Sequence, residues 1–350
     1  MAERSRLLGE GGALGWSRAG FYRVTADGVQ CVLCPFRCRL RPGETGACRV
    51  RRRRDDTVET LTLDTTVFHQ DTVERKPFYH FRPGSRVITL APPGCSFRCD
   101  YCVNHRLSQY GRDDGDTDRH TTPVDVDDVV EQAAAQRAGI ALSYSEPSLA
   151  AELTLRLADA AATRGVPVLW KSNGFVTPEA LDVLAPGLAA VNIDIKAADD
   201  TTHRRLTGAP LAPVLETVRA LHRAGVWVEA STPLIPGTSD SDAQLDFIAG
   251  FLASVGRDVP WHLLRFTPTY RMADEVPTTP ERLARAVRIG RSAGLAHVYV
   301  ERALGAKGRA THCPRCSAEV IGREVWGAVE VSLVDGACPV CGTAIPGVWS

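Results

Sequence analysis

From residue 87 onward, short apolar runs alternate with stretches of helical periodicity. Residues 87–91, 140–144, 166–172, 190–195, 226–234 and 261–266 have the length and apolar content of buried strands, and 297–301 would close or flank the same sheet. The segments between them carry helix-start signals. Asp125 precedes VDDVVEQAAAQRA, Thr177 precedes PEALDVLA, Asp240 precedes SDAQLDFIAGFLAS and Thr279 precedes PERLARAVRIGRSA, while Pro147 opens PSLAAELTLRLADAAA at a first-turn position. Gly139, Gly165, Gly225 and Gly294 stand where a helix must stop before the next strand. Strand starts recur about every 25–35 residues, the length of a βα unit. The pattern predicts an α/β fold: a partial (β/α)6 TIM-like barrel over residues 81–305, with small cysteine-rich modules at 1–80 and 306–350. In such a fold the chemistry lies beyond the C-terminal ends of the strands.

Composition narrows the function classes. The 350 residues include 41 basic and 41 acidic side chains, so the net charge is zero, which argues against a broad electrostatic hold on nucleic acid or an anionic membrane. No apolar run approaches the ~20 residues of a membrane span. The N-terminal MAERSRLLGEGG carries charge where a secretory signal needs its apolar core. The expected compartment is the cytoplasm, where disulfides rarely persist. Eleven cysteines there point to metal rather than to disulfides.

The cysteines form three groups. Cys31, Cys34, Cys38 and Cys48 lie in CVLCPFRCRLRPGETGAC; Cys95, Cys99 and Cys102 in GCSFRCDYC; and Cys313, Cys316, Cys338 and Cys341 form two C-x-x-C knuckles 21 residues apart. The knuckles predict a structural zinc site, with a rubredoxin-like iron site as the alternative of the same geometry, and Gly336 and Gly342 permit the tight turns of the second knuckle. The uneven N-terminal spacing suits a loop around an auxiliary iron–sulfur cluster or a zinc site. Its neighbour, RVRRRR at 49–54, reads as a solvated charged strand or loop in preference to a peptide-binding patch. The middle group carries the most chemistry. Three thiolates on one short loop leave one iron of a four-iron cluster free for an external ligand, and Tyr101 beside the last cysteine can pack against a nucleoside.

GCSFRCDYC resembles the signature of the radical S-adenosylmethionine (SAM) superfamily. The barrel segment is similar to the pyruvate formate-lyase activating enzyme group. The chain from Cys31 to Trp349 resembles AmmeMemoRadiSam-type radical SAM proteins, through CVLCPFRCRLRPGETGACRVR, ERKPFYHFRPGS, YSEP, SNGF, NIDIKA, LIPGTSD, RFTPTYRM and the final IPGVW. The resemblance implies that Cys95, Cys99 and Cys102 ligate a catalytic [4Fe-4S] cluster. It implies that Ser145 with Glu146 receives the methionine ammonium of SAM, and that Ser172, Asn173, Asp194, Lys196 and His262 surround the cofactor. The implied reaction is reductive cleavage of SAM to methionine and a 5′-deoxyadenosyl radical, which abstracts hydrogen from a C–H bond of a protein, peptide or small molecule. A one-electron donor such as flavodoxin or ferredoxin is the implied partner. Ser145, Ser172, Thr267 and the Glu301–Arg302 pair depart from the group's usual residues, and the last two leave the substrate open.

A second count agrees with the strand-end positions. Of the 41 basic residues only four are Lys (Lys76, Lys171, Lys196 and Lys307), and Asn occurs three times (Asn104, Asn173 and Asn192). All but Lys307 lie beside a strand end, the cysteine loop or ERKPFYHF, which makes them pointers to a site needing a compact cation or an amide. Competing readings are a glycyl-radical enzyme activase, a metal-binding scaffold without turnover, and a zinc-ribbon nucleic-acid-binding protein; few basic residues in 313–350 argue against the last.

Overall fold

The computed structural model describes residues 15–26, 28–112, 120–301, 303–324 and 328–350. The charged extreme N-terminus and Arg302 lie outside them. The chain divides into two compact units interleaved in sequence: Met1–Asp71, Arg86–Val191 and Pro213–Val226 in the first, and Thr72–Ser85, Asn192–Ala212 and Trp227–Ser350 in the second. No helix among the described residues is long and apolar enough to cross a membrane.

In the first unit, strands β1 (Arg86–Leu90), β2 (Gly139–Leu142) and β3 (Val168–Ser172) run parallel, with Ile140 paired to Ile88 on one side and to Val168 on the other. Ile88, Leu90, Ile140, Leu142 and Trp170 are almost wholly enclosed, as strands buried on both faces must be. The helices Val126–Ala135 and Pro178–Leu184 begin where their caps predict. Asp125 accepts from the Asp128 N–H, and Thr177 from the Ala180 N–H. Gly165 and Gly225 adopt φ +65° and +77°. Gly139 does not stop the preceding helix: Arg137 takes the left-handed turn at φ 52°, and Gly139 opens β2 because a Cβ there would lie 2.9 Å from Leu169 Cδ1.

Strands between residues 17 and 60 add small antiparallel sheets to this unit. One joins Ser17–Arg18, Thr57–Thr60 and Arg51–Arg54; another joins Tyr22–Thr25, Gly28–Cys31 and Arg39–Leu40. The arginine run is a paired strand and not an open patch: Arg52 and Arg54 bond Glu59, and Arg53 bonds Asp56. Arg51 turns fully inward, where its guanidinium reaches both oxygens of Glu152 at 3.0 and 3.1 Å and also the Gly20 carbonyl. Glu152 accepts the Gly20 N–H at 2.8 Å as well. This pair ties the N-terminal sheets to the helix Ala151–Ala162. Arg51→Met is expected to cost about 3–5 kcal/mol, because it strands a buried carboxylate, whereas the double change Arg51→Met with Glu152→Leu recovers most of the loss. Urea denaturation of the three proteins reads this directly.

Strand β4 (Ala190–Asp194) begins in the first unit and ends in the second. In the second unit β5 (Trp227–Leu234), β6 (Trp261–Arg265) and β7 (Val298–Val300) are parallel neighbours. The helix Asp242–Val255 is capped by Ser241, not by the expected Asp240, whose carboxylate instead accepts the Gly237 N–H at 2.9 Å. The segment Thr72–Ser85, aperiodic in sequence, is buried here: Lys76, Phe78, Tyr79 and His80 are fully enclosed. Glu229 of β5 accepts the Tyr79 and His80 N–H groups at 2.9–3.0 Å, and Asn192 donates to the Pro77 carbonyl at 2.6 Å. The chain end locks the same segment, with Val348 bridged to Phe81 and His80 Nδ1 2.7 Å from the Pro346 carbonyl.

His80 and His297 pack ring to ring at 4.3 Å in this core. Burial holds His297 down to about 4 and His80 well below its usual value. Both are neutral in the fold, so below about pH 6.5 the unfolded chain gains protons that the folded chain refuses. Stability is complete above that pH and falls as pH drops towards about 4. His297 alone accounts for about 2 kcal/mol between pH 7 and pH 5. Denaturation midpoints at the two pH values should show the drop, and His297→Gln should shrink it.

Candidate active site

The cysteine loop leaves the C-terminal end of β1. Gly94 precedes it at φ +92°, where a Cβ would stand 2.6 Å from Val50 Cγ1, so only glycine lets the loop start there. Three elements then fix the loop. Glu146 N–H donates to the Gly94 carbonyl at 3.1 Å, and Ser145 Oγ donates to the Pro92 carbonyl, both from the end of β2. Asn173, just past β3, sends its amide to Ser96 Oγ at 3.0 Å and to Cys95 Sγ at 3.5 Å, while its own oxygen accepts the Phe175 N–H. Arg112 donates to the Phe97 carbonyl at 2.5 Å and to the Cys95 carbonyl at 2.7 Å. Cys99 is buried, Cys95 and Cys102 are half-buried, and Cys102 Sγ lies 3.3 Å from Ser108 Oγ. Tyr101 is half-buried beside them.

Glu146 is the hinge of this arrangement. Its carboxylate is 2% exposed and accepts from Ser172 Oγ at 2.7 Å, the Asn173 N–H at 2.8 Å and the Ser148 N–H at 3.0 Å. It therefore ties the ends of β2 and β3 together and aims Asn173 at the cysteines. Burial raises its pKa, against the lowering effect of the donors around it. Burial, with the charge of Glu146 close by, pushes the Cys95 thiol well up. Such a sulfur becomes a thiolate when a metal takes its proton's place. The donor set thus fits a cluster held by three thiolates on one short loop: Cys99 and Cys102 share a turn, Asn173 positions Cys95, and soft ligands suit iron–sulfur chemistry.

The remaining expected residues belong to the second unit. Lys196 Nζ is 3.1 Å from Asp194 Oδ2 just after β4, and both side chains are partly exposed. His262 is fully enclosed: its Nε2 lies 2.6 Å from Glu229 Oε2, and its ring packs on Tyr79 and Tyr299. Asn192 is also a core residue, bonded to Ser231 and the Pro77 carbonyl. Thr267 is exposed just past β6. The sequence reading missed Arg112, Glu229 and Phe175. Their signal was weak, because an arginine in a loop and a carboxylate within a strand look like surface residues until their partners are known.

At the other end of the chain the four knuckle sulfurs lie within 4.8 Å of one another, with Cys313 to Cys341 at 3.5 Å and Cys316 to Cys338 at 3.6 Å. Gly336 and Gly342 take φ +74° and +71°, as the knuckle turns require. The Thr343 hydroxyl and N–H beside Cys341 draw its thiol down to about 6. Four sulfurs so placed could hold one metal ion and would leave it no open position.

A three-cysteine loop at the end of the first parallel strand, backed by polar groups at the next strand ends, is what a radical SAM domain requires. The model of the Radical SAM superfamily matches residues 90–247, and the chain belongs to that superfamily. It is 33% identical over 333 residues to the uncharacterized protein MJ0808 of Methanocaldococcus jannaschii, a match covering 93% of this chain and 98% of that one. It is 30% identical to the isethionate sulfite-lyase activating enzyme of Nitratidesulfovibrio vulgaris over 49% of this chain and 57% of the relative. Against the benzylsuccinate synthase activating enzyme of Thauera aromatica it is 31% identical over 36% and 41% of the two chains. The chain thus spans roughly half the length of these activating enzymes. The protein is a radical SAM enzyme, and its family implies SAM and a [4Fe-4S] cluster.

Proposed function

We propose that this protein cleaves SAM reductively and removes hydrogen from a C–H bond of a protein, peptide or small molecule. The observation that carries the proposal is the Cys95 loop, pinned by Asn173 and backed by the buried Glu146. Cys95, Cys99 and Cys102 would hold the [4Fe-4S] cluster. With SAM on its open iron, such a cluster supplies a 5′-deoxyadenosyl radical. The chain's own residues do the rest. Gly94 and Arg112 fix the loop's backbone, Asn173 orients Cys95, and Tyr101 offers a ring for the adenosine. Glu146 acts as a positioning residue through Ser172 and Asn173.

The relatives named as activating enzymes, one of them as a putative glycyl-radical enzyme activating enzyme, favour one version of this reading, in which the hydrogen comes from a glycyl residue of a partner enzyme. The C-terminal quartet would hold zinc as a structural ion. A low-potential flavodoxin or ferredoxin in the cytoplasm would supply the electron. The test is anaerobic reconstitution, reduction and addition of SAM. Methionine and 5′-deoxyadenosine should appear in equal amounts, and a Cys95→Ala/Cys99→Ala/Cys102→Ala protein should give neither. Equal product from both proteins would overturn the assignment.

A further inference from the structure

The N-terminal quartet is not needed for the chemistry just proposed, yet it is built against the loop that performs it. Cys31, Cys34 and Cys48 are buried and Cys38 is half-buried, in a loop whose apolar wall includes Val32, Leu33 and Val50. Cys31 N–H donates to the Cys38 carbonyl at 2.9 Å, which sets the first and third cysteines side by side. A backbone N–H is aimed at one of the sulfurs: that of Ala47 reaches Cys38 Sγ at 3.4 Å. Such donors are what an iron–sulfur cluster uses to settle its charge. The C-terminal sulfurs sit within 4.8 Å of one another, the close distances of a single ion.

Three contacts join this loop to the Cys95 loop. Arg112 Nη2 donates both to the Ala47 carbonyl, next to Cys48, and to the Cys95 carbonyl, each at 2.7 Å. Gly94, next to Cys95, lies so close that a Cβ on it would be 3.3 Å from the Cys48 carbonyl. Phe36, between Cys34 and Cys38, stands edge-on to Phe175 at 5.0 Å, and Phe175 packs on Phe97, between Cys95 and Cys99, at 5.4 Å. Thr177 closes the contact by donating to the Val32 and Leu33 carbonyls. One cysteine loop thus touches the other through backbone, guanidinium and aromatic rings.

We propose that Cys31, Cys34, Cys38 and Cys48 hold a fully ligated [4Fe-4S] cluster, and that its packed contact with the Cys95 loop is the path by which electrons enter the active site. Four cysteine ligands leave no open iron, so the group suits electron transfer and not substrate binding. The balance is simple. A reduced one-electron carrier, a flavodoxin in the test below, gives up one electron; the N-terminal cluster is reduced and then reoxidised as the electron passes to the group held by Cys95, Cys99 and Cys102. No bond forms or breaks. The inference rests on the radical SAM reading of that second group.

The test uses the full chain, reconstituted anaerobically, and a Cys34→Ser/Cys48→Ser variant. Wild type should hold about eight irons and one zinc, and the variant about four irons and one zinc. With a small strong reductant the variant should still cleave SAM, but with reduced flavodoxin its rate should fall at least about tenfold. Reduced wild type should show an electron paramagnetic resonance (EPR) spectrum broadened by two neighbouring clusters, a readout that needs no variant and no turnover. About four irons and two zincs in wild type, or an uncoupled single-cluster spectrum, would overturn the proposal. So would a variant that takes electrons from flavodoxin at the wild-type rate. Wild type that holds eight coupled irons yet cleaves no SAM would instead count against the radical SAM reading and leave the N-terminal cluster standing.

Discussion

Replacing Glu146 by Gln will leave the protein folded but unable to keep its catalytic loop in order. The amide can still accept from Ser172 and Ser148 through its oxygen. Its NH2 then faces the Asn173 N–H, which Glu146 Oε2 now accepts at 2.8 Å, so two donors meet in a fully buried place. An unpaired buried donor costs about 1–3 kcal/mol. The cheapest relief is for Asn173 to shift, and Asn173 is the residue holding Ser96 and Cys95. The variant should therefore lose iron from the Cys95 loop and lose SAM cleavage with it, at a small drop in urea midpoint. Glu146→Leu is the harsher change. It strands three donors, at a summed cost of roughly 3–9 kcal/mol, which is comparable with the whole stability of many domains. Iron counts and denaturation midpoints on the two variants separate the local from the global effect. If Glu146→Gln keeps all its iron and its rate, the carboxylate is not what holds the loop.

Cys99→Ala should abolish SAM cleavage altogether. Cys99 is the buried member of the three, and it lies between Phe97, which packs on Phe175, and the turn in which Cys102 N–H donates to the Cys99 carbonyl. Two remaining thiolates cannot hold a four-iron cube, so iron should fall by about four per chain while the zinc count stays at one. The small side chain costs little packing, so the far-UV circular dichroism spectrum should be unchanged. A variant that keeps all its iron would show that another residue ligates the cluster.

Most of what positions this loop could be read in the chain itself. β1 to β7 fall within a residue or two of their apolar runs, and the polar dipeptides after β2 and β3 mark the residues that surround the cysteines. Scarcity of Asn and Lys was a pointer of mixed quality. It found Asn173, which grips the loop, but also Asn192 and Lys76, which are core residues of the second unit. An amide or ammonium is retained wherever a buried polar position demands it, whether or not that position touches a cofactor. His262 shows the same limit, since its place in WHLLRF says it lies on a strand but not that Glu229 waits for it 2.6 Å away. The segment ERKPFYHF had no period to read. Its burial is imposed by Glu229, by Asn192 and by the chain end, partners more than a hundred residues distant. Arg112 was illegible for a related reason: each of its three carbonyl acceptors comes from a loop, and a loop's path is not written in hydrophobic periodicity.

If Cys95, Cys99 and Cys102 present an open iron to SAM, binding there must register in the cluster's own spectrum. The most direct measurement is a low-temperature EPR spectrum of the reduced protein with and without SAM. In wild type and in the Cys34→Ser/Cys48→Ser variant, SAM should shift the reduced-cluster signal, because it binds the iron itself; in the Cys95→Ala/Cys99→Ala/Cys102→Ala protein it should shift nothing. A wild-type spectrum indifferent to saturating SAM would contradict the account.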